Sequence, residues 1–253
     1  MYLSKEKRMT MPLLLDMSGP IATLEFNRPE TGNAFDADLH SAFAAALKAL
    51  RSNPEIRVIL LTGAGRMFCS GGDLTYIREL RSNAQVRDGS WDEGMGIVEC
   101  LTDMHVPVIA AVHGHAMGLG ATIVSLCDIS VAWKDAKIAD PHVVVGLVAG
   151  DGGAIGWSSA IGLNRAKRYL LTGETIDGTK AYELGLVTDL ADTPEDARIQ
   201  ARALAELLKR NAVDARRVAC LVDDTPDLGL MAAVGLPAAV ADAHPEVLAA
   251  AKH

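Results

Sequence analysis

The sequence predicts an α/β fold with a parallel sheet at its core and a helical second half. Short, almost wholly apolar runs such as Val58–Thr62 and Val108–Val112 have the character of strands buried on both faces. Segments with apolar residues at every third or fourth position lie between such runs, so strand and helix alternate through the first half. Beyond Gly150 the helical period dominates. At 253 residues, 49% hydrophobic and 22% charged, the chain can bury a large core and is not disordered.

The elements follow in order. Leu13–Met17 and Ile21–Asn27 are β-rich runs joined by the turn cluster Ser18-Gly19-Pro20, which predicts a hairpin. After the Gly/Pro-broken loop Arg28–Asn33, Asp36 stands where an N-cap belongs. Leu39, Phe43, Leu47 and Leu50 then repeat at helical spacing, so a helix runs over Asp36–Arg51 and stops at Pro54. Strand Val58–Thr62 feeds a Gly-rich loop, Gly63–Asp73, which leads into helical sequence through Asp92–Met104, with Asn83–Ser90 as a polar insert. A second buried strand, Val108–Val112, feeds His113–Gly120 and a helix over Ala121–Leu126. Strands follow at Ile129–Ala132 and Lys137–Ala139, then helices at Gly153–Ile161, Arg165–Leu171 and Thr179–Leu184, a short strand at Val187–Leu190 and a long helix, Pro194–Arg210. With no low-complexity linker, residues 1–190 are expected to form the core and 191–253 a helical C-terminal region on the core or on a neighbouring subunit.

Charge and motifs narrow the function. Lys+Arg 24 against Asp+Glu 32 gives −8, which argues against a nucleic-acid or anionic-membrane partner. No apolar run reaches the roughly 18 residues of a membrane span, and Leu13–Leu15 is too short for a signal-peptide core, so a soluble cytoplasmic protein is expected. The cysteines at 69, 100, 127 and 220 show no metal-ligand spacing, and His113 and His115 lack a third ligand, so no metal is expected. The dinucleotide, P-loop, GxSxG and HExxH signatures are all missing. What remains is two Gly-rich loops, each directly after a buried strand. Glycine lets the backbone approach a ligand, and a helix N-terminus behind it offers unpaired N–H groups, so two converging loops could hold a developing oxyanion.

Asn27–Ala34, Val58–Gly65, Phe68–Leu74, Ala111–Gly120 with Cys127-Asp128-Ile129, and Gly173 through Gly185-Leu186-Val187 together resemble the enoyl-CoA hydratase/isomerase (crotonase) superfamily over about Leu13–Leu190. The resemblance implies a spiral of repeated ββα units with a helical C-terminal trimerisation region, assembled as a homotrimer or a dimer of trimers. It implies an acyl-CoA substrate, coenzyme A being part of that substrate and no separate cofactor being required. The implied oxyanion donors are the amides of Gly72 and Leu119. Leu119 replaces a residue that is commonly glycine, and a left-handed backbone there would be strained. Arg28, Ser70, Gly71, Asp73 and Thr122 are the implied substrate contacts.

The chain departs from that pattern at the two positions where a hydratase of the superfamily carries its glutamates: here they are Thr122 and His142. Unlike a threonine hydroxyl, an imidazole can carry a proton at neutral pH. Asp151, nine positions after His142, is expected to orient it as a catalytic dyad, and the spacing resembles the His/Asp pair of 6-oxocamphor hydrolase, a divergent superfamily member. Asp151 could equally cap the helix that opens at Gly152-Gly153. Three readings follow: a CoA-thioester enzyme using the dyad, a CoA-independent C–C bond hydrolase of a cyclic β-diketone, or a degenerate acyl-CoA binder.

Overall fold

A computed structural model of the chain describes residues 11–211, together with 219–222, 236–239 and single positions beyond. Two compact units divide the chain, Met1–Lys209 and Arg210–His253. In the first, β1 (Leu13–Ser18) and β2 (Ile21–Phe26) form the expected antiparallel hairpin. To β2 are added, all parallel, β3 (Val58–Gly63), β4 (Val108–Val112), β6 (Ile129–Trp133) and β9 (Asp189–Ala191), in the order β1-β2-β3-β4-β6-β9. A second sheet combines β5 (Ala116–Met117), β7 (Lys137–Ala139) and β8 (Ile176–Asp177) in the order β5-β7-β8. Every residue of β3 and β4 is buried, as their apolar runs predict.

The helices are α1 (Ala37–Arg51), α2 (Leu74–Ser82), α3 (Ala84–Thr102), α4 (Leu119–Leu126), α5 (Gly153–Ile161), α6 (Leu163–Thr172), α7 (Gly178–Leu184) and α8 (Pro194–Asn211). Asp36 caps α1, its side chain accepting the Leu39 N–H. The polar insert expected over Asn83–Ser90 is instead the first turns of α3. The Asn83 side chain accepts the amides of Gln85 and Val86 and starts the helix, a capping signal that the polar composition hides.

Two apolar clusters flank the larger sheet. The main one includes a group of edge-to-face rings, Phe26 against Phe35, Phe43 and Phe68 at 5.2–5.5 Å. On the other face, Val58, Leu60, Ile109, Ala111 and Val131 meet Ala197, Ala201 and Ala205 of α8. Alanine at every fourth position lets this helix lie close to the strands. Arg198 ties it down by donating to the Thr62 hydroxyl and the Gly63 carbonyl. Beyond α8, the helical region expected over 191–253 lies largely outside the described residues, and those described in the second unit include a parallel strand pair, Ala219–Val222 with Leu236–Ala239.

Candidate active site

The C-terminal ends of β3 and β4 release the two Gly-rich loops, and the loops are laced together by backbone bonds. The amides of Phe68 and Cys69 donate to the His115 carbonyl at 3.1 Å, that of Met117 to Cys69 at 2.9 Å, and that of Gly118 to Ala139 at 2.9 Å. The contact leaves no room for side chains. A Cβ on Gly71, at φ +92°, would stand 2.8 Å from the Met117 oxygen, and one on Gly120 would stand 2.8 Å from the Cys69 Cβ. The unusual backbone falls on Gly118 (φ 50°, ψ −121°), so Leu119 begins α4 without the left-handed strain its replacement of glycine suggested. The amides of Gly72 and Leu119 find no acceptor among the described residues.

His142 opens a short 3₁₀ turn, His142–Val145, just after β7. Its ring faces the second loop: a Cβ on Gly118 would lie 3.6 Å from Cε1 and 3.8 Å from Nε2. Both ring nitrogens meet carboxylates. Asp151 stands at Nε2, its Oδ2 3.3 Å away, an ion-pair distance without hydrogen-bond alignment. At Nδ1 the partner is Asp140, at 2.5 Å, whose same oxygen also faces the His142 amide at 3.3 Å. Asp140 is 1% exposed, and its other oxygen has no hydrogen-bond partner among the described residues. Sequence reasoning missed this residue. The signal was Asp140-Pro141-His142 directly after a buried strand, where an acid two positions before a histidine can fold back onto it.

Thr122 and Asp151 belong to the same cluster. The buried Thr122 hydroxyl donates to Asp151 Oδ1 at 3.1 Å, and the Gly153 amide approaches that oxygen at 3.4 Å. Asp151 thus lends one oxygen to the start of α5 and turns the other toward His142. Burial pushes its carboxyl above the usual range, the nearby Asp140 charge adds to this, and His142, Gly153 and Thr122 pull the other way. For His142, burial alone would lower the pKa; the Asp140 bond and the charges of Asp151 and Asp140 outweigh it, and the net shift is upward. Asp140, His142 and Asp151 can each bring a ligand atom within 4.8 Å of the others, close enough to surround a cation; of the two direct contacts to the ring, that of Asp140 is a hydrogen bond and that of Asp151 an ion pair.

The remaining site residues of the sequence reading spend their polar atoms on the protein. Arg28 donates to the Ala34 carbonyl and pairs with Asp36 at 2.7 Å, Ser70 donates to the Thr31 carbonyl at 3.1 Å, and Asp73 caps α2 by accepting from Thr75 and Tyr76. Cys69 is fully enclosed, and burial pushes its thiol up to about 12, so it is no nucleophile. His40 is 7% exposed and bonds Glu93 at 2.8 Å. A separate cleft of about 1130 Å³ includes Arg66, His115, Trp133 and Arg198 in its lining.

Comparison with known proteins shows the family. The family model described as enoyl-CoA hydratase/isomerase matches residues 16–222. The chain belongs to that family. It is 32% identical over 225 residues to the (E)-benzylidenesuccinyl-CoA hydratase of Thauera aromatica, covering 85% of each chain. It is 29% identical to the short-chain-enoyl-CoA hydratase of Clostridium acetobutylicum, over 79% of this chain and 76% of the relative. Among solved structures, an enoyl-CoA hydratase/isomerase from Mycobacterium paratuberculosis superposes with a TM-score of 0.71 at 37% identity, covering 80% of this chain and 88% of that one. No described helix is long and apolar enough to cross a membrane.

Proposed function

We propose that this family member takes a CoA thioester, polarises its carbonyl between the amides of Gly72 and Leu119, and moves the α-proton with His142 and Asp151. The observation that carries the reading is the meeting of two unpaired backbone donors, on loops whose glycines touch, with an imidazole that lies against Gly118. Donors fixed before the reaction stabilise the enolate oxygen without reorganising, an effect worth about 3–4 kcal/mol per donor where it has been measured. The C–H electron pair becomes the enolate double bond, the carbonyl pair moves onto oxygen, and the proton passes to the His142/Asp151 pair. Protonation at another carbon isomerises the substrate, and addition of water to an unsaturated one hydrates it.

Hydration is the activity in the names of the relatives, and the missing glutamates mean that this chain would perform it with an imidazole. Coenzyme A arrives as part of the substrate, and a homotrimer or dimer of trimers is the assembly that the family reading brings with it. Cytoplasmic enzymology on soluble thioesters fits the same reading.

The test is incubation in D2O with a panel of saturated and α,β-unsaturated acyl-CoAs, read by mass spectrometry. Deuterium uptake or a gain of water mass is expected, and His142→Ala should lower it about 100-fold or more. A silent panel with no CoA binding overturns the reading in favour of diketone hydrolysis; silence with tight CoA binding points to a degenerate binder.

A further inference from the structure

The cluster around His142 contains more than the dyad needs. We propose that Asp140 is the residue that positions His142, by holding a proton on Nδ1, and that Asp151 is its partner in proton transfer, sharing the mobile proton with Nε2. The inference deepens the thioester reading and rests on it for the reaction, while the proton positions stand on geometry alone.

The two carboxylates are placed differently. Asp140 lies on the chain two residues before His142, is buried to 1% exposure, and meets Nδ1 at 2.5 Å, so a neutral ring held this way keeps its hydrogen on Nδ1 and presents a bare Nε2. The Asp140 carboxylate also accepts from the His142 amide, which locks the acid and the ring to one turn of backbone. Asp151 comes from the other side, at the mouth of α5, and stands 3.3 Å from that bare nitrogen. Its opposite oxygen is steadied by the Thr122 hydroxyl and the Gly153 amide, so the oxygen facing Nε2 is the one free to gain or lose a proton.

The proton count balances. In the resting pair the ring is neutral, with its hydrogen on Nδ1 and Nε2 bare, and Asp151 Oδ2 holds one proton. Taking the substrate α-proton gives an imidazolium and a neutral Asp151, with the C–H electrons left on the enolate. Returning a proton to carbon restores the resting pair. Asp140 keeps its charge throughout and offsets that of the imidazolium, the task of an orienting carboxylate.

Two measurements test this. Nitrogen-15 spectra of histidine-labelled wild-type protein report the ring directly: the neutral form of His142 should carry its hydrogen on Nδ1, and Asp140→Asn should weaken that preference and shift the imidazole titration downward. In the D2O exchange assay, Asp140→Asn should lower kcat about 100-fold with KM held within about twofold, and Asp151→Asn should abolish one limb of the pH–rate profile. A neutral His142 protonated on Nε2 in the wild-type protein overturns the proposal, as does an Asp140→Asn variant with wild-type kcat and pH profile. Wild-type protein inert toward every thioester would instead sink the thioester reading, with the nitrogen spectra still deciding whether Asp140 holds the ring.

Discussion

Asp140, Thr122 and Gly153 meet in a space that has no slack. A Cβ on Gly153 would stand 2.5 Å from Asp140 Oδ2 and 3.0 Å from the Thr122 hydroxyl oxygen. Gly153→Ala should therefore push the buried acid off the His142 ring, costing about 2 kcal/mol of stability in denaturant titration and more than tenfold in proton exchange. Thr122→Val is the gentler probe. It is nearly the same size but removes the hydroxyl that favours ionised Asp151, so the Asp151 pKa should rise further and exchange should slow about three- to tenfold with folding intact. The pH–rate limb belonging to Asp151 should move to higher pH; a profile unchanged from wild type would mean that the hydroxyl does not act on this carboxyl. The contacts of residues 122 and 153 are not visible as a motif, because the cluster is gathered from α4, the 3₁₀ turn, the start of α5 and the connections between them.

At the scale of the elements, the loop that carries the Gly72 amide is held by a residue outside it. Asn33 is fully buried in a left-handed conformation (φ 59°), and its amide nitrogen donates to the carbonyls of Ala64, Met67 and Phe68 while its oxygen accepts the Arg28 amide. Asparagine tolerates that backbone better than most side chains and supplies both donor and acceptor. Asn33→Ala should leave several buried carbonyls unpaired and cost about 3 kcal/mol, measured as a drop in the urea midpoint, with the thioester activity falling in parallel. The strands behind the two Gly-rich loops were legible from the sequence: β3 and β4 lie within a residue of where their apolar runs put them. The start of α3 was not, since the apolar period is weak over Ala84–Gly96 and the signal that starts the helix is a single asparagine cap.

For the whole molecule, the pH dependence of stability has opposing contributions. His113, 2% exposed at the end of β4, has its pKa lowered to about 4, first by burial and then by the charge of Arg198. Between pH 6.5 and 4 the unfolded chain binds a proton at this histidine that the folded chain refuses. The stability it contributes is therefore present above about pH 6.5 and lost as pH falls toward 4, an effect of about 3 kcal/mol. His142 acts with the opposite sign. Its folded pKa is raised, so its contribution is present below the unfolded value and lost as pH rises through the folded one. Urea titrations of wild-type protein and His113→Gln at pH 7.5 and pH 4.5 check the larger effect. The stability difference between the two proteins should shrink by about 2–3 kcal/mol at the lower pH, and a constant difference would refute the assignment.

The sequence by itself determined the α/β alternation, the buried parallel strands, the two Gly-rich loops and their likeness to the enoyl-CoA hydratase/isomerase family. Each of those is written in local periodicity or in a contiguous motif, where neighbouring residues carry the whole signal. It also showed that the two usual glutamates are missing and that His142 stands in one of their places. Only the tertiary structure decided which acid holds that histidine. The spacing pointed to Asp151 as the orienting residue, whereas the fold sets Asp140 at Nδ1 and Asp151 at Nε2. Which side of a ring a carboxylate reaches depends on how β7, the 3₁₀ turn and the mouth of α5 are brought together. The 3.3 Å approach of Asp151 joins separate elements, and the 2.5 Å contact of Asp140 depends on how the turn folds back on itself, so neither leaves a period in the chain to read.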